Sequence, residues 1–220
     1  MKNSITLIAL AGLASAATAD LTVTELFTGL SGEDGTADWI EVTNTGTGTI
    51  DTGDFFYDDD SADILDAGQL DSILLGAGQS AIFLEDDEPS DEVAFTTSIA
   101  EFQSIWNYSG PIGLTNGGGG LSNSNNDAAT ILDAGGSIVN QASYSGGLAG
   151  GLATIDFSSG SAATSVLGVN GAFASETFFN DNLGLPNNEA TLVGSPGVVP
   201  APGAAALLAL GGLVGARRRR

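Results

Sequence analysis

Apolar residues in the body of the chain alternate over short runs, and this pattern restricts the fold more than any other feature of the sequence. A period of two predicts β-strands, whereas a helix repeats its apolar residues three and four positions apart. Turn-forming residues separate the runs, and Ala134-Gly135-Gly136 predicts a hairpin turn. This spacing favours an antiparallel β-sandwich. The predicted strands are LTVTEL, WIEVTN, SAIFL, ATILD and SIVNQASY, at residues 21–26, 39–44, 80–84, 129–133 and 137–144.

One short helix is predicted within this β-rich body. Ser98 and Glu101 have the S-x-x-E spacing of a capping box, and Ile99, Phe102 and Trp106 follow at helical spacing. We expect a helix of no more than about three turns that covers an open end of the sandwich. Phe102 and Trp106 are predicted to pack in the core rather than to stack on a ligand.

The charged side chains are almost all acidic. The chain has 27 Asp and Glu, and its only basic residues are Lys2 and Arg217 to Arg220, while His and Cys are absent. Loss of both ends would leave 27 acidic residues and no basic one, which argues against nucleic acid or anionic lipid as a partner. The same charge is compatible with a cationic partner. Thiol chemistry, histidine bases and lysine nucleophiles are excluded, so any catalysis would rest on carboxylates.

The N-terminus has the layout of a secretory signal peptide. Lys2 precedes an apolar run at residues 5–13, and small residues follow it. The apolar run is too short to span a bilayer, so we prefer this interpretation to a buried helix. We predict a signal helix at residues 1–19 that signal peptidase removes, with the cleavage site formed by Ala17 and Ala19.

The C-terminal segment, residues 198–220, has three parts. A proline-containing stretch leads into an apolar run at residues 203–216, where we predict a helix, and four arginines end the chain. The apolar run is shorter than the ~20 residues of an ordinary spanning helix. The clustered arginines are costly to move through hydrocarbon, so they would stay on the cytoplasmic side.

This tail resembles the PEP-CTERM sorting signal, which an exosortase recognises in certain bacteria. Ala201 stands where the family name implies a glutamate, so the motif is a variant. The resemblance implies an exosortase-like processing enzyme as a partner, with membrane attachment before processing. A permanent tail anchor is the alternative. The predicted sorting residues are Val199, Pro200, Ala201, Pro202, Arg217, Arg218, Arg219 and Arg220.

The body between these ends resembles the lamin-tail domain over about residues 21–197. The motifs that carry the resemblance occur in the family's order: LTVTEL, then Asp38-Trp39-Ile40-Glu41-Val42-Thr43-Asn44-Thr45-Gly46, then Leu121-Ser122-Asn123 with the last two predicted strands, then Gly194-Ser195-Pro196-Gly197. The resemblance implies an immunoglobulin-like β-sandwich at residues 20–197. It also implies an accessory or adhesive module without a catalytic site.

Trp39 and Glu41 share one face of their predicted strand. We predict that Trp39 is a structural aromatic near the sandwich edge and that Glu41 hydrogen-bonds a loop or faces water. A sugar-stacking role for Trp39 is the alternative.

The carboxylates are concentrated in the first half, with 21 of the 27 between Asp20 and Glu101. Close like charges repel, and Ca²⁺, which takes six to eight oxygen ligands, would relieve that repulsion. The spacing does not match the Asp-x-Asp-x-Asp-Gly loop, and a solvated acidic surface is the alternative. No other cofactor is expected. The candidate calcium ligands are Asp58, Asp59, Asp60 and Asp63.

These features together predict a non-enzymatic protein, exported and sorted to the cell surface or extracellular matrix. Two alternatives remain open. One is an extracellular binding module for a polysaccharide or a cationic partner, with or without calcium. The other is a carboxylate-based extracellular hydrolase, for which 2 Trp and 3 Tyr provide few sugar platforms.

Overall fold

The computed structural model describes residues 20–30, 38–85, 92–179 and 185–198. The predicted signal peptide and sorting residues lie outside these ranges, as do residues 86–91, which include Asp86, Asp87, Glu88 and Asp91. One α-helix, α1 (Glu92–Trp106), and two 3₁₀ turns, Thr52–Asp54 and Pro186–Asn188, accompany the strands. The strands are β1 (Leu21–Phe27), β2 (Trp39–Asn44), β3 (Ile50–Asp51), β4 (Phe55–Asp58), β5 (Gly68–Gln69), β6 (Leu74–Leu75), β7 (Ser80–Leu84), β8 (Ile112–Leu114), β9 (Asp127–Asp133), β10 (Ile138–Tyr144), β11 (Ile155–Asp156), β12 (Ala163–Thr164), β13 (Phe173–Ala174), β14 (Phe178–Phe179), β15 (Glu189–Ala190) and β16 (Val193–Gly194).

Two main sheets organise the described chain. The larger has the strand order β12-β11-β1-β2-β7-β8, and the smaller has the order β10-β9-β4-β5. Their pairings are antiparallel except for β7 with β8, which is parallel. All five predicted strands are present, and the hairpin turn at residues 134–136 joins β9 to β10. For the described residues, the prediction of an all-β body with one helix is confirmed, while the predicted signal helix and C-terminal helix lie outside them.

A β-bulge in β1 decides which side chains face which side of the larger sheet. The register of β1 on β2 shifts between Val23 and Glu25, so strict alternation breaks there. Leu21 and Val23 lie in one apolar cluster, whereas Phe27 lies in another. The bulge therefore places Glu25 and Phe27 on the same face as their β2 partners, Glu41 and Trp39.

Two apolar cores lie on opposite faces of the larger sheet. The first is shared with the smaller sheet and joins residues such as Leu26, Ile40 and Phe83 to Tyr57 and Ile131. The second lies between the larger sheet, α1 and the last strands, and its buried members are Phe27, Trp39, Ile82, Leu84, Phe102, Ile105, Trp106, Phe178, Ala190 and Leu192. Both faces of this sheet are thus covered, which explains why β2 and β7 are buried at every position.

Helix α1 differs from its prediction in length, start and position. It has 15 residues, about four turns, and begins at Glu92, so Ser98 lies inside the helix and is not its N-cap. It packs on a face of the larger sheet rather than at an open end of a sandwich. The prediction that Phe102 and Trp106 pack in the core is confirmed, since they are 6% and 3% exposed.

Trp39 lies at the centre of the second core. It is 2% exposed and makes edge-to-face contacts with Phe102 and Trp106, at ring-centroid distances of 5.5 and 6.1 Å. Its structural role is therefore confirmed. The predicted position of Trp39 near an edge is wrong, because β2 lies between β1 and β7 inside the sheet.

Candidate functional site

The acidic run after β4 forms a hydrogen-bonded turn. Asp58 is buried, and its Oδ2 atom accepts hydrogen bonds of 2.6 Å from the Ser61 hydroxyl and from the Asp63 backbone N–H. Asp59 Oδ1 accepts a bond of 2.9 Å from the Ser61 N–H, while the Asp60 side chain is exposed. Backbone and hydroxyl donors thus stabilise these like charges locally. Among the described residues, no group of three or more acidic side chains is arranged to hold a metal ion, so calcium at this turn stays a prediction.

A different pair of carboxylates is the more distinctive site. Glu25 and Glu41 lie directly opposite each other on β1 and β2, and they are 2% and 1% exposed. We call these two residues the carboxylate pair. Every residue from Asn3 to Ala216 lacks a cationic side chain, so this burial has no compensating ion pair in that range. A buried charge without a counter-ion is costly unless hydrogen bonds compensate for it.

Hydrogen-bond donors near the C-terminal end of the described domain bind the oxygens of the carboxylate pair. We call Ser195-Pro196-Gly197 the closing turn. Its Ser195 N–H and hydroxyl donate to the two carboxylate oxygens of Glu25, at 2.8 and 3.0 Å. Its Gly197 N–H donates to Glu41 Oε2. The carboxylate pair therefore joins the first two strands to a turn more than 150 positions further along the chain.

Hydroxyl groups complete the shell around the carboxylate pair. Thr154 donates its hydroxyl proton to Glu25 Oε1, and Thr24, the bulged residue of β1, donates to Glu41 Oε1 at 2.7 Å. The Thr24 hydroxyl also lies 2.9 Å from that of Thr43, which lies 2.7 Å from Ser80 Oγ. These bonds form a buried polar ladder across β1, β2 and β7.

The surroundings raise the pKa of both carboxylates. Burial is the largest cause for Glu25 and raises its pKa to about 7, although hydrogen bonds from Thr154 and Ser195 oppose the shift and the charge of Glu41 adds to it. Burial likewise raises the pKa of Glu41, against the hydrogen bonds from Thr24 and Gly197. Glu25 therefore exchanges a proton near neutral pH, but its burial keeps it away from any substrate in this conformation.

The sequence predicted part of this site. Glu41 does hydrogen-bond a loop, as expected, and that loop is the closing turn. Glu25 and Ser195 occur in the motifs that resemble the lamin-tail domain, but the sequence predicted no contact for either of them. Nothing local in β1 indicated that Glu25 is buried, since the bulge at Thr24 determines which face it occupies.

A second acidic feature lies on the surface. Asp51, Asp54 and Asp71, together with Asn116, line an open concavity of about 420 Å³ beside the turn after β3. Asp71 Oδ1 accepts a hydrogen bond of 3.0 Å from the Asn116 side chain, and Asp51 accepts bonds from the Ser72 hydroxyl at 2.8 and 2.9 Å. Asp54 is exposed. The concavity can thus present negative charge to a positively charged group.

Comparison with protein families, with curated proteins and with solved structures found no match for this chain. Within the described ranges, no helix has the length and apolar character needed to cross a membrane.

Proposed function

We propose that this chain is a non-enzymatic, exported protein of the cell surface or extracellular matrix. In this proposal its body is a lamin-tail-like, immunoglobulin-like β-sandwich, signal peptidase removes residues 1–19, and an exosortase-like enzyme processes the tail. The motivation is the order of the chain: an N-terminal export layout, one β-rich body and a three-part tail.

The observation that carries the proposal is the attachment of the closing turn to the carboxylate pair. The turn ends at Gly197, one residue before the predicted tail, and its donors bind Glu25 and Glu41 on adjacent, buried strands. A force or membrane that holds the tail therefore acts on a point fixed to the middle of the larger sheet. This arrangement suits a domain that is tethered by its C-terminus.

The burial of the carboxylate pair also supports a non-enzymatic role. A glycosidase needs two carboxylates on either side of a bound sugar. Glu25 and Glu41, the two carboxylates that meet across strands, instead direct their oxygens at Thr, Ser and backbone donors inside the protein.

The intact mass of the protein from its native cells tests this proposal. We expect the mature protein in the surface or medium fraction, lacking residues 1–19 and the arginines Arg217 to Arg220. A variant with all four arginines replaced by glutamine keeps the tail length and removes the basic stop, so we expect it to escape normal processing. Retention of residues 1–19 would contradict export, and retention of the arginines in the wild type would indicate a permanent anchor.

A second candidate function is binding of a cationic polysaccharide, and the acidic concavity is the observation that favours it. We expect a chitosan oligomer to bind with an affinity that falls severalfold in high salt, because salt screens charges beyond ~10 Å at 0.1 M. Asp54→Asn removes an exposed charge of the concavity, while Asp66→Asn removes an exposed charge outside it. Calorimetry that shows equal affinity for both variants and the wild type would eliminate the concavity as the site.

A further inference from the structure

An exposed apolar loop follows β12. Val166, Leu167 and Val169 are 58%, 62% and 51% exposed, which is unusual for three neighbouring apolar side chains. Three backbone hydrogen bonds hold the loop in shape: from Gly168 N–H to Ala172 O at 2.8 Å, from Val169 N–H to Val166 O at 2.9 Å and from Ala172 N–H to Val169 O at 2.9 Å. We call residues 166–172 the exit loop. Its apolar side chains are held outward by a fixed backbone and have no core to enter.

The exit loop lies beside the point where the chain leaves the described domain. A Cβ atom built on Gly171 would lie 2.5 Å from Cγ1 of Val198, so the two residues are in contact. β13, which follows the loop, pairs with β16, which precedes the closing turn. Val198 is itself 37% exposed and is the last described residue. It thus extends the apolar surface of the exit loop.

The length of chain beyond Val198 limits where the apolar tail can lie. The tail's apolar run begins at Gly203, five positions later, and five extended residues span at most about 17 Å. A membrane that holds residues 203–216 therefore lies within about that distance of Val198 and of the exit loop.

The charge pattern favours contact between this side of the domain and lipid. No acidic residue occurs between Asp156 and Glu176, although the whole chain has 27. The exit loop lies within this stretch and has no charged residue of its own, although its Asn170 side chain donates a hydrogen bond of 2.9 Å to Asp156 Oδ2. A polyanion is repelled by an anionic membrane surface, and an uncharged apolar loop is the part that approaches one at least cost.

We propose that the exit loop inserts Val166, Leu167 and Val169 into the lipid interface of the membrane that holds the tail. The proposal rests on the tethering in the proposed function and adds a second contact to it. The contact is apolar, as for other interfacial anchors, so it requires no basic residue.

Fluorescent labelling at single cysteines tests the contact. The chain has no Cys, so Leu167→Cys carries a polarity-sensitive dye at one site only. Leu65→Cys is the matched control, because Leu65 is an 87% exposed leucine in the acidic turn after β4. Each variant, spanning residues 20–220, is reconstituted into phosphatidylcholine vesicles, and flotation reports whether the tail holds the protein on them. Iodide then probes access from water, and doxyl-labelled lipid probes access from the bilayer.

We expect the dye at position 167 to be quenched by doxyl lipid and severalfold less by iodide than the dye at position 65. If the protein floats with the vesicles and both dyes are equally open to iodide, the lipid contact is refuted while tethering stands. If the dye at position 167 is shielded from iodide but insensitive to doxyl lipid, the tail or a second copy covers the loop. That result also refutes the lipid contact. Absence of flotation would overturn the tethering and the contact together.

Discussion

Raising the pH from about 5 to about 8 is expected to lower the free energy of unfolding by roughly 3 kcal/mol. The cause is Glu25, whose pKa in the folded protein is about 7, against an ordinary value of 4.5. Between these two pKa values the folded state holds the Glu25 proton, whereas the unfolded chain has released it. The stabilisation is therefore complete below the unfolded pKa and is lost as the pH rises through the folded one. The raised pKa of Glu41 acts in the same direction.

Urea unfolding at a series of pH values measures this loss, with the buried Trp39 and Trp106 as fluorescent probes. Glu25→Gln is the neutral equivalent of the protonated side chain and keeps its shape, so we expect it to flatten most of the pH dependence. Glu101→Gln removes the same charge from an exposed position and should leave the slope unchanged. A wild type whose stability is constant from about pH 5 to about pH 8 would contradict the raised pKa of Glu25.

Titration of the exposed carboxylates contributes little to this pH dependence of stability. Ordinary carboxylates titrate near pH 4, so the mutual repulsion of the exposed ones is already largely developed at about pH 5. Between pH 5 and 8 the chain offers no histidine or cysteine that could titrate instead. The change in stability across that range therefore reports buried carboxylates, of which Glu25 and Glu41 form the facing pair.

The carboxylate pair also shows how a domain can bury acidic side chains when residues 3–216 include no basic one. Where other proteins place Arg or Lys, this one supplies hydroxyl groups from Thr24, Thr154 and Ser195 and backbone N–H groups from the closing turn. Neutral donors compensate for the cost of burying a charged carboxylate less well than an ion pair of good geometry does. Burial therefore raises the pKa values of both carboxylates. The raised pKa of Glu25 thus follows first from its burial, which no basic side chain between residues 3 and 216 offsets.

The sequence predicted the long strands well and the short ones poorly. The five predicted strands have five to seven residues in the structure, which is long enough for alternation to be visible. Most of the missed strands have two residues and exist because tertiary structure brings a backbone partner beside them: β11 pairs with the longer β1, and β13 pairs with β16, which is equally short. Pairing of that kind depends on tertiary structure and leaves no periodicity to detect.

The helix and the candidate site were likewise predicted only in part. The spacing of Phe102 and Trp106 was sufficient to predict a helix and its buried face, yet a capping box with Ser98 as N-cap placed the first helical residue seven positions too late. The motifs that resemble the lamin-tail domain include Glu25, Glu41 and the closing turn. Their contact could not be predicted, because it joins residues 170 and 156 positions apart and depends on the bulge in β1.

Gly197→Ala is expected to destabilise the protein by about 3 kcal/mol, whereas Gly78→Ala should cost only about 1 kcal/mol. The two glycines have nearly equal backbone angles, with φ of 77° and 74°, so both substitutions carry the strain of a left-handed residue. A Cβ on Gly78 would meet nothing within 4 Å, while one on Gly197 would lie 2.6 Å from Cε2 of Tyr108. The difference between the variants therefore isolates the close packing of the closing turn.

Tyr108 cannot move away cheaply from an added methyl group. Its ring packs edge-to-face on Phe102 at 5.5 Å, and its hydroxyl donates to Pro111 O at 3.2 Å. We therefore expect the closing turn to yield instead, which lengthens the hydrogen bond from Gly197 to Glu41 and weakens the attachment of the tail. Midpoints of urea unfolding at neutral pH measure both costs. Equal losses for the two variants would show that the ring of Tyr108 gives way and that the turn is held by its backbone angles alone.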